Sequence, residues 1–249
     1  MKSIKIFLSI VALCIATTSF AQQKGQSFIG ISGGVSLPLG NWGKSAEVIS
    51  INGTVTDPNG YANIGGFGAL DGAYFFSKLF GVGGLLSYGT YSLKNVDSLS
   101  QGYQQSFDVD TTRTTPTNYT QFNFLPGIYF NSAIAKKLSV TARALVGVSY
   151  ATTPKITVSI EDGGVFDPSL VQESASKASF AFDIGAGLSY ALKKCLALNL
   201  NADYFYSKPD FTINNTARNN NAGREITQYD QPLDAVNISL GIAYLFRRK

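Results

Sequence analysis

An alternation of apolar and polar residues with a period of two runs through eight segments of this chain. It restricts the possible folds more than any other feature, because successive side chains of a β-strand point to opposite faces. Each segment therefore predicts a strand with one apolar and one polar face. Pro126, inside the fourth segment, predicts a bulge or a missing ladder hydrogen bond. The segments are residues 27–39, 61–75, 79–92, 119–131, 138–150, 180–190, 196–206 and 236–247.

The connections between these segments alternate in length. Short ones lie at residues 76–78, 132–137 and 191–194, and long ones at 40–60, 93–118, 152–177 and 207–233. The long connections are rich in Asn, Thr, Ser, Gln and Asp, which predicts solvated, mobile loops. A sandwich with crossed connections has no reason to alternate so regularly, whereas a transmembrane barrel has short turns at one end and long loops at the other. The pattern thus predicts an all-β, eight-stranded antiparallel up-and-down barrel.

The placement of charge predicts which face of this barrel points outward. A soluble barrel would carry Lys and Glu on its polar strand faces, but here they lie in or beside the connections. The polar faces consist mainly of Gly, Ala, Ser and Asn, which are small enough to fill a narrow lumen. The apolar faces are therefore expected to meet lipid, with an aromatic girdle at each end. The girdle residues are Tyr74, Phe80, Phe130, Tyr190 and Tyr244 near the short turns, and Tyr88, Phe122, Tyr150, Phe180 and Tyr204 near the long loops.

Residues 1–21 have the features of a cleaved secretory signal. Lys2 and Lys5 precede an apolar run, and Ser19-Phe20-Ala21 is a small-x-small cleavage site. The apolar run is too short for a helical membrane span. A lipoprotein signal using Cys14 is the alternative, although the preceding leucine is bulkier than the small residue such signals usually carry. We expect residues 22–249 to form one barrel domain that is exported.

Composition excludes several kinds of chemistry. The chain has no histidine, which rules out imidazole catalysis, and its two cysteines are too few for a Cys/His zinc site. With Cys14 removed in the signal, Cys195 cannot form an intramolecular disulfide and is expected to act as a small apolar residue. Asp108 and Asp110 are a weak cation-binding signal, and an ordinary solvated loop is favoured. The glycine clusters lack a dinucleotide fingerprint, so no cofactor or metal is predicted. The 20 basic against 16 acidic residues give no reason to expect nucleic-acid binding.

Four charged residues fall on the predicted inward face: Asp71, Arg143, Asp183 and Asp203. Buried carboxylates near an arginine usually form a structural ion cluster, and this role is favoured over catalysis by a carboxylate pair. Because an eight-stranded barrel is just wide enough for side chains, we predict a lumen that is closed to bulk solutes. The larger inward residues are Leu85, Tyr91, Leu125, Tyr129, Leu145 and Phe205.

The eight alternating segments, FNFLPGIYF at residues 122–130 and AYLF at 243–246 resemble the outer membrane protein β-barrel domain family, whose small members are often labelled porin-family proteins. The resemblance implies an outer-membrane location, contact with outer-membrane lipid and insertion by the barrel-assembly machinery. Barrel enzymes of similar architecture, such as lipid A acyltransferases and omptin proteases, use a histidine that this chain lacks, so no enzyme is expected.

Three function classes remain for such a barrel. The favoured one is a non-enzymatic structural or loop-mediated binding protein, whose extracellular ligand the sequence does not identify. The alternatives are a narrow passive channel and an accessory subunit of a secretion or envelope complex.

Overall fold

The computed structural model describes residues 26–45, 59–107, 111–162, 165–217 and 225–247. The predicted signal and the two loop aspartates, Asp108 and Asp110, lie outside these ranges. In chain order the elements are β1 (Gln26–Pro38), β2 (Gly65–Phe75), β3 (Phe80–Tyr91), α1 (Val96–Phe107), β4 (Thr112–Pro116), β5 (Tyr119–Ala133), β6 (Leu138–Thr152), β7 (Ile156–Asp162), β8 (Val165–Gln172), β9 (Ser176–Lys193), β10 (Leu196–Ser207), β11 (Asp210–Ala217), β12 (Glu225–Asp230) and β13 (Leu233–Arg247).

Eight of these strands form a closed antiparallel barrel in the order β1-β13-β10-β9-β6-β5-β3-β2. Strands β1 and β13 close it along their whole length, from Gln26 opposite Arg247 to Pro38 opposite Ala235. All eight alternating segments are barrel strands, so the predicted fold class is confirmed. The β5–β6 ladder has no pairing at Leu125 and Pro126, which is where the proline predicts a missing ladder bond.

The outer face of the barrel is a belt of large apolar side chains. Ile31 and Phe180, for example, are 66% and 68% exposed. The aromatic residues predicted for the two girdles also point outward, as Tyr244 does near the short turns and Tyr88 near the long loops. An apolar surface that surrounds a protein is stable only against another apolar phase, so this belt is a lipid-facing surface. The helix in the described part of the chain is not long and apolar enough to cross a membrane.

The remaining strands form a second sheet beyond the long-loop end of the barrel. Its order is β12-β11-β8-β7-β4, and its strands come from three different long connections. The prediction of solvated, mobile loops is therefore wrong for these segments. The physical reason is a short alternation within them: Ile156 and Val158 in β7, and Phe211 and Ile213 in β11, are buried. Helix α1 packs through Leu99 and Tyr103 against the buried face of β7.

Candidate functional site

A plug of apolar side chains closes the long-loop end of the lumen. Gly40 has a φ of +51°, a left-handed conformation that a side chain disfavours, and it turns the chain back after β1. Trp42 then inserts over the lumen, with its ring centroid 4.6 Å from that of Tyr91 and 6.1 Å from that of Tyr119. Phe211 and Leu233 complete the cluster from the other side. The same cluster joins the barrel mouth to the second sheet.

A layer of hydrogen-bonded polar side chains lies below the plug. The Tyr91 hydroxyl donates to Ser36 Oγ at 3.0 Å and lies 3.4 Å from Gln121 Oε1. Gln121 Nε2 in turn donates to Ser149 Oγ at 3.1 Å. These residues belong to β1, β3, β5 and β6, so the layer ties together half of the barrel strands. A buried polar network is stabilising when its members are paired in this way.

An apolar layer fills the middle of the lumen. Leu85, Leu125, Leu145 and Phe205 pack together, and Leu125 is completely inaccessible to solvent. Each of the large inward residues predicted from the alternation is buried. An eight-stranded barrel leaves little space beyond such side chains. The lumen is therefore blocked by protein at its middle and again at its long-loop end.

The four charged inward residues meet directly below this apolar layer. Arg143 Nε and Nη2 donate to the two carboxylate oxygens of Asp203 at 2.8 and 2.7 Å, a bidentate pair. Arg143 Nη1 lies 3.3 Å from Asp71 Oδ2, and Nε lies 3.5 Å from Asp183 Oδ1. The sequence places these residues on one face, and strand register brings them to one level. Gly185 makes room for the cluster, because a Cβ at that position would collide with the Asp203 carboxylate.

The cluster contains more negative than positive charge. One guanidinium group faces three carboxylates, and the side chains of Asp183 and Asp203 are almost completely buried. Asp183 Oδ1 forms no hydrogen bond with any residue that the structure describes. Arg143 is thus the group that makes burial of these carboxylates possible, and its bond with Asp203 has the best geometry.

A cavity of about 440 Å³ occupies the other half of the lumen, from the ion cluster to the short turns. Asp71, Arg143 and Asp203 form its inner end, and Lys136 and Lys137 stand at its mouth. Its walls combine small or polar side chains such as Thr141, Ser189 and Asn201 with apolar ones such as Phe28 and Phe75. The lumen is consequently blind: it is open toward the short turns and blocked toward the long loops.

The region beyond the barrel has a packed face and a polar face. Burial between α1 and the second sheet raises the pKa of Tyr103 to about 12. On the opposite face, Arg113 and Thr115 are exposed on β4, beside Ser159 and Thr157 of β7. Two ion pairs brace this region, Lys155 with Glu173 at 3.0 Å and Lys208 with Asp230 at 2.8 Å.

Sequence reasoning missed two parts of this site and misjudged one residue. The inserted Trp42 lies in a predicted loop, where its position as the sole tryptophan beside two glycines is the only available signal. The cavity is missed because alternation shows which side chains point inward but not how much space they leave. Cys195, expected to be a small apolar residue, is instead exposed in the turn between β9 and β10.

No protein-family model matches the sequence, and no curated protein matches it either. Solved structures are similar in fold. A major outer membrane protein from Thermus thermophilus has 12% identity and a TM-score of 0.53, covering 88% of this chain and 99% of that one. The outer membrane protein OprG from Pseudomonas aeruginosa has 16% identity and a TM-score of 0.51, covering 91% of this chain and 98% of that one. The fold is that of outer-membrane β-barrel proteins, in agreement with the predicted fold class.

Proposed function

We propose that this protein is a non-enzymatic barrel of the outer membrane that holds its second sheet outside the cell as a fixed binding surface. The plug around Trp42 is the observation that carries the proposal, because it blocks the lumen and anchors the sheet with the same side chains. A chain that served only as a channel would gain nothing from such a block. Membrane lipid contacts the apolar belt, and the barrel-assembly machinery acts during insertion.

The polar face of the second sheet is the surface that we assign to binding. Arg113 and Thr115 lie side by side with β7 residues on a regular strand pair, so their positions are set by backbone hydrogen bonds. Sites on rigid elements hold their geometry better than sites on free loops. The binding partner is a macromolecule or matrix outside the cell, or another envelope protein.

Thiol labelling tests the orientation that this proposal requires. Cys195 is exposed at the short-turn end, and it is the only cysteine once the signal is removed. A membrane-impermeant maleimide should leave the wild type unlabelled on intact cells and label it after disruption. The double variant Ser98→Cys, Cys195→Ser carries its thiol on the exposed side of α1 and should react on intact cells. Labelling of Cys195 on intact cells, with none at position 98, would show that the sheet faces inward and would refute the proposal.

Planar-bilayer recording tests the blocked lumen. Pure protein should give no stable conductance of porin size, because the apolar layer and the plug leave no continuous water path. Reproducible large single-channel steps would favour the passive-channel alternative. Stable co-purification with other envelope proteins from native membranes would favour the accessory-subunit alternative.

A further inference from the structure

The wall of the cavity carries both polar and apolar groups from the ion cluster to the short turns. Tyr129 is only 4% exposed and lines the inner part of the cavity, where it interacts with the Arg143 side chain. Phe28 and Phe75 add apolar surface, and Ser189 and Asn201 add groups that can form hydrogen bonds. A ligand that fits this wall has both apolar and hydrogen-bonding groups.

The two ends of the cavity have opposite charge. The inner end combines Asp71, Asp203 and the nearby Asp183 with one guanidinium, which leaves an excess of negative charge. The mouth carries Lys136 and Lys137. A simple cation would be repelled at the mouth, and a simple anion would be repelled at the inner end. Only a molecule with a positive and a negative end matches both.

The distance between these ends fixes the size of the ligand. Lys137 directly precedes β6, and Arg143 lies six residues further along the chain in that strand. This separation is about 20 Å at the usual rise per residue. Strand tilt reduces this to a depth of about 15 Å. An extended peptide covers about 3.3–3.6 Å per residue, so about four or five residues would span it. The volume of about 440 Å³ lies in the range of small-ligand sites and suits small side chains.

We propose that this cavity binds a short, extended peptide of small residues that enters from the short-turn end. The N-terminal ammonium group lies beside Asp71, and the C-terminal carboxylate lies near Lys136 and Lys137. A peptide is favoured over other zwitterions because an extended backbone of four or five residues holds its two terminal charges about 15 Å apart, which matches the depth of the cavity. Its amides and small side chains also suit a wall that is partly polar and partly apolar.

Isothermal titration of the purified full-length barrel in detergent tests this proposal, with tetraalanine, N-acetyl-tetraalanine and tetraalanine amide as probes. Free tetraalanine should bind. Acetylation removes the ammonium group and should weaken binding at least about tenfold, the effect of losing one charge-assisted hydrogen bond. Amidation should weaken it less, because the lysines at the mouth are exposed to water.

A pair of matched variants locates the binding. Ser189→Phe fills the cavity, and Leu188→Phe adds the same ring on the lipid face of the same strand. The first should abolish binding and the second should preserve it, with both barrels shown to be folded by circular dichroism. Absence of tetraalanine binding, equal binding of the acetylated peptide, or equal effects of the two variants would each overturn the proposal. The test is made in solution and does not depend on which way the barrel faces in the cell.

Discussion

Replacement of Arg143 by methionine is the perturbation with the largest expected effect on this barrel. Methionine keeps much of the length of the side chain but removes the only positive charge among three carboxylates. The hydrogen bonds from Arg143 to Asp203, at 2.7 and 2.8 Å, are lost in this variant. Solvent cannot replace them, because the Asp203 side chain is 1% exposed. Asp71 borders the cavity and can be hydrated in part.

The expected decrease in the free energy of unfolding follows from the cost of leaving a buried charge without its partner, about 3–5 kcal/mol. We expect Arg143→Met to lower the free energy of unfolding by that amount, with the loss arising mainly at Asp203 and Asp183. Arg143→Lys keeps the charge but cannot form the bidentate pair, so it should lose less. In the double variant Arg143→Met, Asp203→Asn, part of the loss should be recovered, because one uncompensated charge is removed with its partner.

Equilibrium unfolding by urea in lipid vesicles measures these differences. Trp42 is the only tryptophan of the chain and lies in the plug, so its fluorescence reports on the long-loop end. Circular dichroism reports on the whole barrel, and agreement of the two transitions supports two-state behaviour. A free energy of unfolding for Arg143→Met within about 1 kcal/mol of the wild type would refute the assignment of Arg143 as the essential partner of a dry cluster.

Three further predictions concern neighbouring features. Asp183→Asn should raise the free energy of unfolding by about 1 kcal/mol in the same assay, because it removes excess negative charge from a buried carboxylate whose Oδ1 forms no hydrogen bond with a described residue; a clear loss would mean that Arg143 needs this carboxylate. Trp42→Ala should cost about 3–5 kcal/mol and make the second sheet sensitive to limited proteolysis, whereas an unchanged digestion pattern would show that the sheet does not depend on the plug. Burial raises the pKa of Tyr103 from 10.0 to about 12, so its contribution to stability is complete below pH 10 and is lost as the pH rises toward 12; the difference between the tyrosinate absorbance titrations of the wild type and Tyr103→Phe should show this late ionisation, and an ordinary midpoint would contradict it.

The barrel could be predicted from sequence because each of its strands is long and has one lipid face. Eleven to eighteen residues of alternation give a strong signal, as in β2 (Gly65–Phe75) and β9 (Ser176–Lys193). The second sheet could not be predicted in the same way. Strand β4 has five residues, and its sheet joins connections that are far apart in the chain. Apolar and polar residues do alternate around Ile156 and Phe211. The two connections that contain them are nevertheless rich in polar residues, and this composition predicts loops.

The candidate site also has one part that the sequence predicts and another that it does not. Period two assigns Asp71, Arg143, Asp183 and Asp203 to the inward face, since side-chain direction is a local property. That Arg143 binds Asp203 in a bidentate manner, while Asp183 lies 3.5 Å away, depends on stagger between β6, β9 and β10. Empty space is also a property of the closed barrel as a whole, so the cavity has no signature in any single segment.

The pairing of β1 with β13 has a consequence for the timing of biogenesis. Strand β13 supplies the final fifteen residues that the structure describes, and all thirteen residues of β1 are paired with it. A nascent chain that lacks this segment has two strands with unpaired backbone groups, which hydrocarbon does not tolerate. Insertion of a closed barrel must therefore wait until translation has passed residue 247, because β13 pairs with β1 as far as Arg247. Completion of the barrel acts as a check on chain length, because a prematurely terminated product has no closed form in which to remain in the membrane.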